Sequence, residues 1–285
     1  MTDSKLAAFS TQDLVYSHIN GHDMMATVLT PKLLQGKPPS DYPVLVYWHG
    51  GGFITGHRTY APWWPKWSIE FALSRNSIIV SPDYRLLPEA SGSDILDDIR
   101  AFWEWMKNDF ISVSERERWH ARPNLGQVAC MGESSGGYLA LQSALLGSSG
   151  IDIKVVITIS APLDGDICIK RFGIPSPRMI LGSWPPPPRR AEAIIRDYIR
   201  AIKPGTVRTE GDPVAMWPLL MCIVQQARMP RLFGYQKNIL LNATAMIDQA
   251  NKLPPMWIIH SEQDSLVSLP CRIPTTDKAL FFSAN

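Results

Sequence analysis

Residues 127–137 read QVACMGESSGG, and this stretch decides the fold class. A short apolar run leads straight into Gly132-Glu133-Ser134-Ser135-Gly136, and the Ala- and Leu-rich residues 135–147 that follow have a helical composition. A serine between two such glycines sits on a sharp, strained turn that lifts its hydroxyl above a sheet edge, while the glycines let strand and helix pack closely. The stretch predicts a strand, a nucleophilic Ser134 and a helix whose N-terminus favours developing negative charge.

A glycine-rich turn of this kind can also occur without any chemistry, so a second motif upstream matters. Residues 43–53 read PVLVYWHGGGF, in which another apolar run ends in consecutive glycines. Glycines leave their backbone N–H groups open to an oxyanion, and the amide after a nucleophilic serine completes such a site. The expected donors are the amides of Gly51, Gly52 and Ser135. A phosphate cradle is the weaker interpretation, because neither GK[ST] nor GxGxxG is present.

The residues beside these donors are given supporting roles. His49 is interpreted as a brace of the loop and not as a proton-transfer group, and Gly50 belongs to the same loop. Gly132, Glu133 and Gly136 complete the motif around the serine.

Strands and helices alternate along most of the chain. Residues 13–18 and 24–29 predict two strands joined by a turn at Asn20-Gly21. Apolar runs typical of buried parallel strands recur at residues 43–48, 77–81, 127–131, 154–160 and 255–260. Helices are expected at residues 64–75, 94–108 and 135–147. The alternation predicts βαβ units, a mostly parallel sheet and an α/β fold in a single domain over residues 1–285.

The clearest helix signal covers residues 94–108. Ser93 is expected to be its N-cap, since acidic residues follow in the first turn. Ile95, Ile99 and Phe102 recur at helical spacing and predict its buried face.

The alternation breaks between residues 164 and 250. This segment contains the Pro185–Pro188 run and helical patterns near 190–202 and 213–228. We interpret it as an insertion that forms a helical cap, and the alternative is a series of ordinary crossover helices. Four tryptophans could shape an apolar pocket or simply belong to the core: Trp63, Trp64, Trp67 and Trp217.

Composition excludes several function classes. The chain has 285 residues with 28 basic and 26 acidic side chains, a net charge of +2 that indicates neither nucleic acid nor an anionic membrane as a partner. No run reaches the roughly 18 apolar residues of a membrane span. The N-terminal residues lack a signal pattern, which predicts a cytoplasmic protein. No cysteine pair or Cys/His cluster resembles a metal site, and the cysteines in apolar stretches predict buried free thiols: Cys130, Cys168, Cys222 and Cys271.

The two motifs, together with residues 81–89 (SPDYRLLPE), resemble the hormone-sensitive-lipase-like branch of the α/β-hydrolases, often called fold-3. The resemblance covers roughly residues 40–267. It implies an α/β-hydrolase fold with a helical cap, and a serine carboxylesterase that cleaves small or medium acyl esters without metal or organic cofactor. It also implies that Asp83 and Arg85 hold loops near the site. Residues 64–106 further resemble fungal hydrolases of secondary metabolism.

The resemblance also implies a Ser–Asp–His triad in that chain order. Residues 255–267 read PMWIIHSEQDSLV, and Asp264 matches the position of the acid, although it could be only a turn residue. None of the 21 residues after Asp264 is a histidine. His260 and His57 are poor candidates for the base, and the remaining histidines lie in no motif.

The missing histidine leaves three alternatives open. They are a shortened form of a longer enzyme, a variant that lost hydrolysis and kept its pocket, and an enzyme with another base. The tail CRIPTTDKALFFSAN does not resemble a helix, a final strand and a histidine loop, so the C-terminal end of the fold is expected to be missing. A binding protein on a hydrolase scaffold is the alternative function, and an elimination or cyclisation through the oxyanion hole is a third.

Overall fold

The sheet is the centre of the molecule. The structure is a computed structural model that describes residues 4–147, 150–165, 175, 179–184, 186–250, 252–267 and 279–284. Its strands are β1 Phe9–Ile19, β2 His22–Pro31, β3 Ser40–Trp48, β4 Ile78–Pro82, β5 Ala121–Glu133, β6 Ile153–Ile159, β7 Met256–Ser261 and β8 Ala279–Ala284. They form one sheet in the order β1-β2-β4-β3-β5-β6-β7-β8. β2 pairs antiparallel with β1 and β4, and all other neighbours are parallel.

Helices connect the strands. They are α1 Lys66–Ser74, α2 Gly92–Asn108, α3 Phe110–Arg116, α4 Ser135–Leu146, α5 Pro188–Ala201, α6 Pro213–Gln225, α7 Met229–Phe233 and α8 Ala243–Gln249. The predicted α/β class and mostly parallel sheet are confirmed.

Both faces of the central strands are buried. Successive side chains of a strand point to opposite faces, so a strand covered on both sides is apolar throughout. In β3, Val44 and Val46 belong to the core cluster under α2 and α4, whereas Leu45 and Tyr47 pack on the other face with α1. This is why residues 43–48 form a continuous apolar run.

The predicted hairpin is present. Asn20 and Gly21 have φ angles of 50° and 77°, as the two central residues of a tight hairpin turn require. β1 and β2 continue the pairing outward from Ile19 and His22.

The N-cap of α2 is Ser91, so the expectation of Ser93 is wrong. The Ser91 hydroxyl accepts from the Asp94 amide, and the Asp94 carboxylate accepts from the Ser91 amide in return. This reciprocal capping box satisfies two backbone donors at once and moves the start of the helix to Gly92. The Ser93 hydroxyl instead accepts from the Asn238 side chain.

In the described part of the chain, four α-helices, α5 to α8, lie between β6 and β7 in the sequence. Leu220, Cys222 and Ile223 of α6 and Ile195 of α5 are buried in the main core cluster. The interpretation of residues 164–250 as a cap inserted into a single domain stays a prediction. Pro185 and most of residues 166–178 lie outside the described part of the chain.

The sheet has a strand that the sequence reading did not expect. β8 pairs in parallel with β7 from Met256–Ala279 to Ser261–Ala284. The expectation that the final strand is missing is therefore wrong. Its six residues are too few to show a periodicity, and neighbouring β7 supplies the backbone partners that hold it. In the described part of the chain, no helix is both long and apolar enough to cross a bilayer.

Candidate active site

Ser134 occupies the turn between β5 and α4. Its φ of 51° and ψ of −122° lie in a region that is strained for a residue with a side chain. The backbone holds this conformation, because the Ser134 amide donates to the Ile159 carbonyl at 2.8 Å and its carbonyl accepts from Gly137 at 3.0 Å. The hydroxyl has no hydrogen-bond partner among the described residues and faces a pocket.

Glycines allow the close packing around this turn. A Cβ on Gly132 would lie 2.3 Å from the Gly136 carbonyl, and a Cβ on Gly136 would lie 2.1 Å from the Trp48 carbonyl oxygen. No side chain fits at these distances, so both motif glycines are required by contact.

The glycine loop after β3 lies directly against the serine. A Cβ on Gly50 would be 3.6 Å from the Ser134 Cβ. Gly51 and Gly52 have φ angles of 112° and 61°, and the Gly51 carbonyl accepts from the amides of Ile54 and Thr55 at 3.0 and 3.1 Å. The amides of Gly51, Gly52 and Ser135 have no acceptor among the described residues. This leaves the three expected donors free for an oxyanion, as such a site requires.

His49 is enclosed in the protein. It is 2% exposed, stacks on Tyr84 with ring centroids 4.4 Å apart, and its Nδ1–H donates to the Gly50 carbonyl at 2.7 Å. Burial lowers its pKa to about 3, so the imidazole is neutral at physiological pH. These contacts favour the interpretation of His49 as a brace.

Asp264 lies in the loop after β7. Its Oδ1 accepts from the amides of Leu266 and Val267, both at 2.9 Å, which fixes the orientation of the carboxylate. Its Oδ2 is 3.8 Å from His260 Nε2. That nitrogen is 2.7 Å from the Val267 carbonyl, to which it donates, and His260 is 1% exposed.

The structure describes all six histidines and brings none of them to the pocket of Ser134. His260 is engaged with the Asp264 loop, and His57 is 3.1 Å from the Thr59 hydroxyl. Gly52, Ser134, Ser135 and, from the loop of Asp264, Leu266 and Val267 therefore line one pocket to which no histidine contributes. Among the described residues no cluster of His, Cys, Asp or Glu is arranged to hold a metal ion.

The pocket at Ser134 has apolar walls. Its cavity volume is about 50 Å³, and six of its thirteen lining residues come from α6, α7 and the turn that follows α7: Leu220, Val224, Met229, Pro230, Phe233 and Tyr235. Phe53, Pro162, Leu266 and Val267 complete it beside the oxyanion loop and the serine turn. No charged side chain of the described residues lines it. The four tryptophans considered above do not line it either, and Trp64 is buried under the sheet against Tyr47.

Known proteins resemble this chain in sequence and in fold. A family described as the alpha/beta hydrolase fold matches residues 45–173. The chain is 45% identical to the probable carboxylesterase M8 of a Phoma species over 269 residues, which are 94% of this chain and 83% of that protein. The chain belongs to the α/β-hydrolase fold family.

Other relatives extend the comparison. The probable carboxylesterase clz11 of Cochliobolus lunatus is 46% identical to this hydrolase over 192 residues, which are 67% of this chain and 86% of that protein. An α/β hydrolase superfamily protein from Enterococcus faecalis superposes with a TM-score of 0.64 at 20% identity, and the match covers 96% and 89% of the two chains. The structural match supports the fold, and the fungal relatives support an esterase-like hydrolase.

A buried ion pair holds the far end of the loop that contains Gly51 and Gly52. Asp83 accepts from Arg58 Nη1 at 2.6 Å, and Arg58 also contacts Asp13 and Glu210. Burial raises the pKa of Asp83 to about 7, although Arg58 opposes the shift. Arg58 was missed in the sequence, because its partners lie far from it along the chain.

The side chain of Arg85 pairs with residues of α2. Its Nε donates to the Asp98 carboxylate of α2 at 2.8 Å, and its Nη2 donates to the Asp94 carbonyl at 2.6 Å. It therefore ties the loop after β4 to the first turns of α2.

A pH dependence of stability is expected from Glu133, the residue before Ser134. Burial raises its pKa from 4.5 to about 7, with Lys5 opposing the shift. A folded-state pKa above the unfolded one gives stability that is present at low pH and lost as pH rises through 7. Relative to wild type, Glu133→Gln should therefore gain about 2 kcal/mol of unfolding free energy between pH 4.5 and 7.

Urea unfolding across this pH range measures the difference. The matched control is Glu104→Gln, which changes an exposed carboxylate on α2. A Glu133→Gln difference that does not vary with pH would contradict the shifted pKa.

Proposed function

We propose that this chain is a serine carboxylesterase that hydrolyses esters with small or medium apolar acyl groups. The observation that carries the proposal is that the glycine loop lies against the Ser134 turn, with a Cβ on Gly50 3.6 Å from the Ser134 Cβ, and that Gly52, Ser134 and Ser135 line one apolar pocket. The pocket favours an uncharged acyl chain, since a charged one would lose its hydration without gaining a partner.

The proposed chemistry begins at the serine. Ser134 Oγ attacks the ester carbonyl carbon, and the carbonyl oxygen becomes an oxyanion that accepts from the amides of Gly51, Gly52 and Ser135. The alcohol leaves with a proton, and water then cleaves the acyl-enzyme to a carboxylic acid. Loss of one such donor typically costs about 2.7–4 kcal/mol of transition-state stabilisation.

Proton transfer is the weak step. No histidine of the chain faces Ser134, so water or an external base must accept its proton, and a serine without an adjacent base is a poor nucleophile. A triad that lacks one member retains an acceleration of only about 10³–10⁴ over water. Asp264, held by its loop amides, is proposed to orient an imidazole where one is supplied.

A second candidate function follows from the absence of a histidine in the lining of the Ser134 pocket. A hydrolase-fold protein without an imidazole at its serine could bind an apolar ester and release it unchanged. We also propose a role in secondary metabolism, which the sequence resemblance implies, and a reducing, cytoplasmic location, which the buried thiols of Cys130 and Cys222 support.

Hydrolysis of p-nitrophenyl butyrate by the chain and by Ser134→Ala tests the proposal. We expect slow turnover by wild type and a lower rate in Ser134→Ala, because Ser134 is the group proposed to form the acyl-enzyme. A transient butyryl group on Ser134, detected by mass spectrometry, is the second readout. Equal rates for the two proteins, with saturable binding of the ester, would support the binding protein instead.

A further inference from the structure

Residues 208–211, which lie between β6 and β7 in the sequence, run along the loop that contains Gly51 and Gly52. Gly56 and Gly211 exchange both backbone hydrogen bonds, at 2.8 and 3.0 Å, and the Thr55 hydroxyl donates to the Gly211 carbonyl at 2.9 Å. On the other side, the Leu86 amide donates to the Arg208 carbonyl at 2.7 Å. The segment 208–211 is thus fixed between the loop that carries Gly51-Gly52 and the loop after β4.

The side chain of Arg208 joins these elements. Its Nη1 donates to the Ile54 carbonyl at 2.8 Å, and its Nη2 donates to the Leu87 carbonyl. Its Nε and Nη2 donate hydrogen bonds to the two carboxylate oxygens of Glu89, at 2.8 and 2.9 Å. The guanidinium therefore satisfies two backbone carbonyls and one carboxylate from a single rigid plane, which a lysine cannot reproduce.

The surroundings keep this arrangement in place. The side chains of Arg208 and Glu89 are 16% and 5% exposed, and the Tyr198 hydroxyl of α5 donates to Glu89 at 2.7 Å. A pair so enclosed is little screened by solvent, in contrast to the exposed arginines of α5.

Ile54 connects Arg208 to the loop that contains Gly51 and Gly52. Its carbonyl shares a peptide unit with the Thr55 amide, which donates to the Gly51 carbonyl at 3.1 Å, so this peptide unit sets how the Gly51-Gly52 loop turns. We propose that Arg208 is a positioning residue that, by holding the Ile54 carbonyl from outside, keeps the amides of Gly51 and Gly52 aimed at the oxyanion. The inference rests on the proposed function, because it assigns a purpose to those amides.

The loss of alignment should appear in turnover more than in substrate binding. Displacing an oriented group by about 1 Å can cost roughly 100-fold in rate. For p-nitrophenyl butyrate we expect Arg208→Met to lower kcat about 10- to 100-fold, with KM changed less than about threefold. Arg208→Lys should restore part of kcat, since its ammonium can reach one carbonyl but not all partners.

Hydrogen–deuterium exchange provides a readout that needs no turnover. Amides of residues 50–56 should exchange about tenfold faster in Arg208→Met than in wild type, while those of α4 stay unchanged. The double variant Arg208→Met/Glu89→Gln removes the carboxylate that the single variant leaves unpaired. If its thermal stability recovers while kcat stays low, the loss comes from the loop and not from general unfolding.

The matched control is Arg196→Met on α5, an exposed arginine paired with its neighbour Asp197. It should leave both kcat and exchange unchanged. Wild-type exchange and kcat in Arg208→Met, or an effect confined to KM, would overturn the inference while leaving the proposed function intact. Equal ester hydrolysis by wild type and Ser134→Ala would overturn the proposed function and, with it, the purpose assigned to Arg208.

Discussion

Gly136→Ala is expected to destabilise the protein by about 3 kcal/mol or more, because the added methyl group has no space. Its Cβ would lie 2.1 Å from the Trp48 carbonyl oxygen and 2.7 Å from the His49 carbonyl oxygen. Both obstacles are backbone atoms at the end of β3, so relieving the clash would move the oxyanion loop. Helix propensity alone would predict the opposite sign, since alanine in place of glycine in a helix gains about 1 kcal/mol.

The destabilisation by the clash should clearly exceed the gain in helix propensity. Thermal or urea unfolding measures the net change in stability. Gly126→Ala is the matched control, because Gly126 is exposed on β5 and its added Cβ would approach only the flexible Asn124 side chain, at 3.2 Å. An unfolding midpoint for Gly136→Ala equal to that of Gly126→Ala would show that α4 does not pack against β3 as described.

Added imidazole is expected to accelerate ester hydrolysis by the wild-type chain roughly tenfold at about 0.1 M, because it supplies the base that Ser134 lacks. The gain is limited, since a base held in place can act as if present at about 10⁵ M or more. Hydrolysis of p-nitrophenyl butyrate at about pH 8, where imidazole is mostly neutral, measures the effect.

Two variants separate the possible causes of such an acceleration. Ser134→Ala should show only the reaction of imidazole with the ester in solution. Asp264→Asn should weaken the acceleration, because the carboxylate oxygen that would orient a bound imidazole is replaced by an amide. Equal acceleration in wild type and Ser134→Ala would contradict a role for the serine.

Local signals in the sequence predicted the parts of the site that depend on local structure. The turn at Ser134 requires tiny neighbours at Gly132 and Gly136, and these requirements are visible in consecutive residues. Ser91 could have been identified as the N-cap too, since Ser91 and Asp94 have capping-box spacing.

Contacts between distant segments could not be predicted in this way. Arg58 meets Glu210, which lies 152 residues later, and Arg208 meets Ile54, which lies 154 residues earlier. No motif marks either arginine, because its partners are chosen by the path of the chain over the sheet. The strand β8 was not predicted for a similar reason, since its pairing with β7 and not its own sequence pattern defines it.

The apolar lining of the serine pocket bears on what happens after the ester bond breaks. A carboxylic acid formed there ionises at neutral pH, and the described walls offer its charge no cation. Retaining the anion would cost free energy, whereas bulk water hydrates it readily. In the proposed reaction, the walls that admit a neutral ester therefore disfavour the ionised acid, which favours product release and works against the attraction of the carboxylate to the amides of Gly51, Gly52 and Ser135.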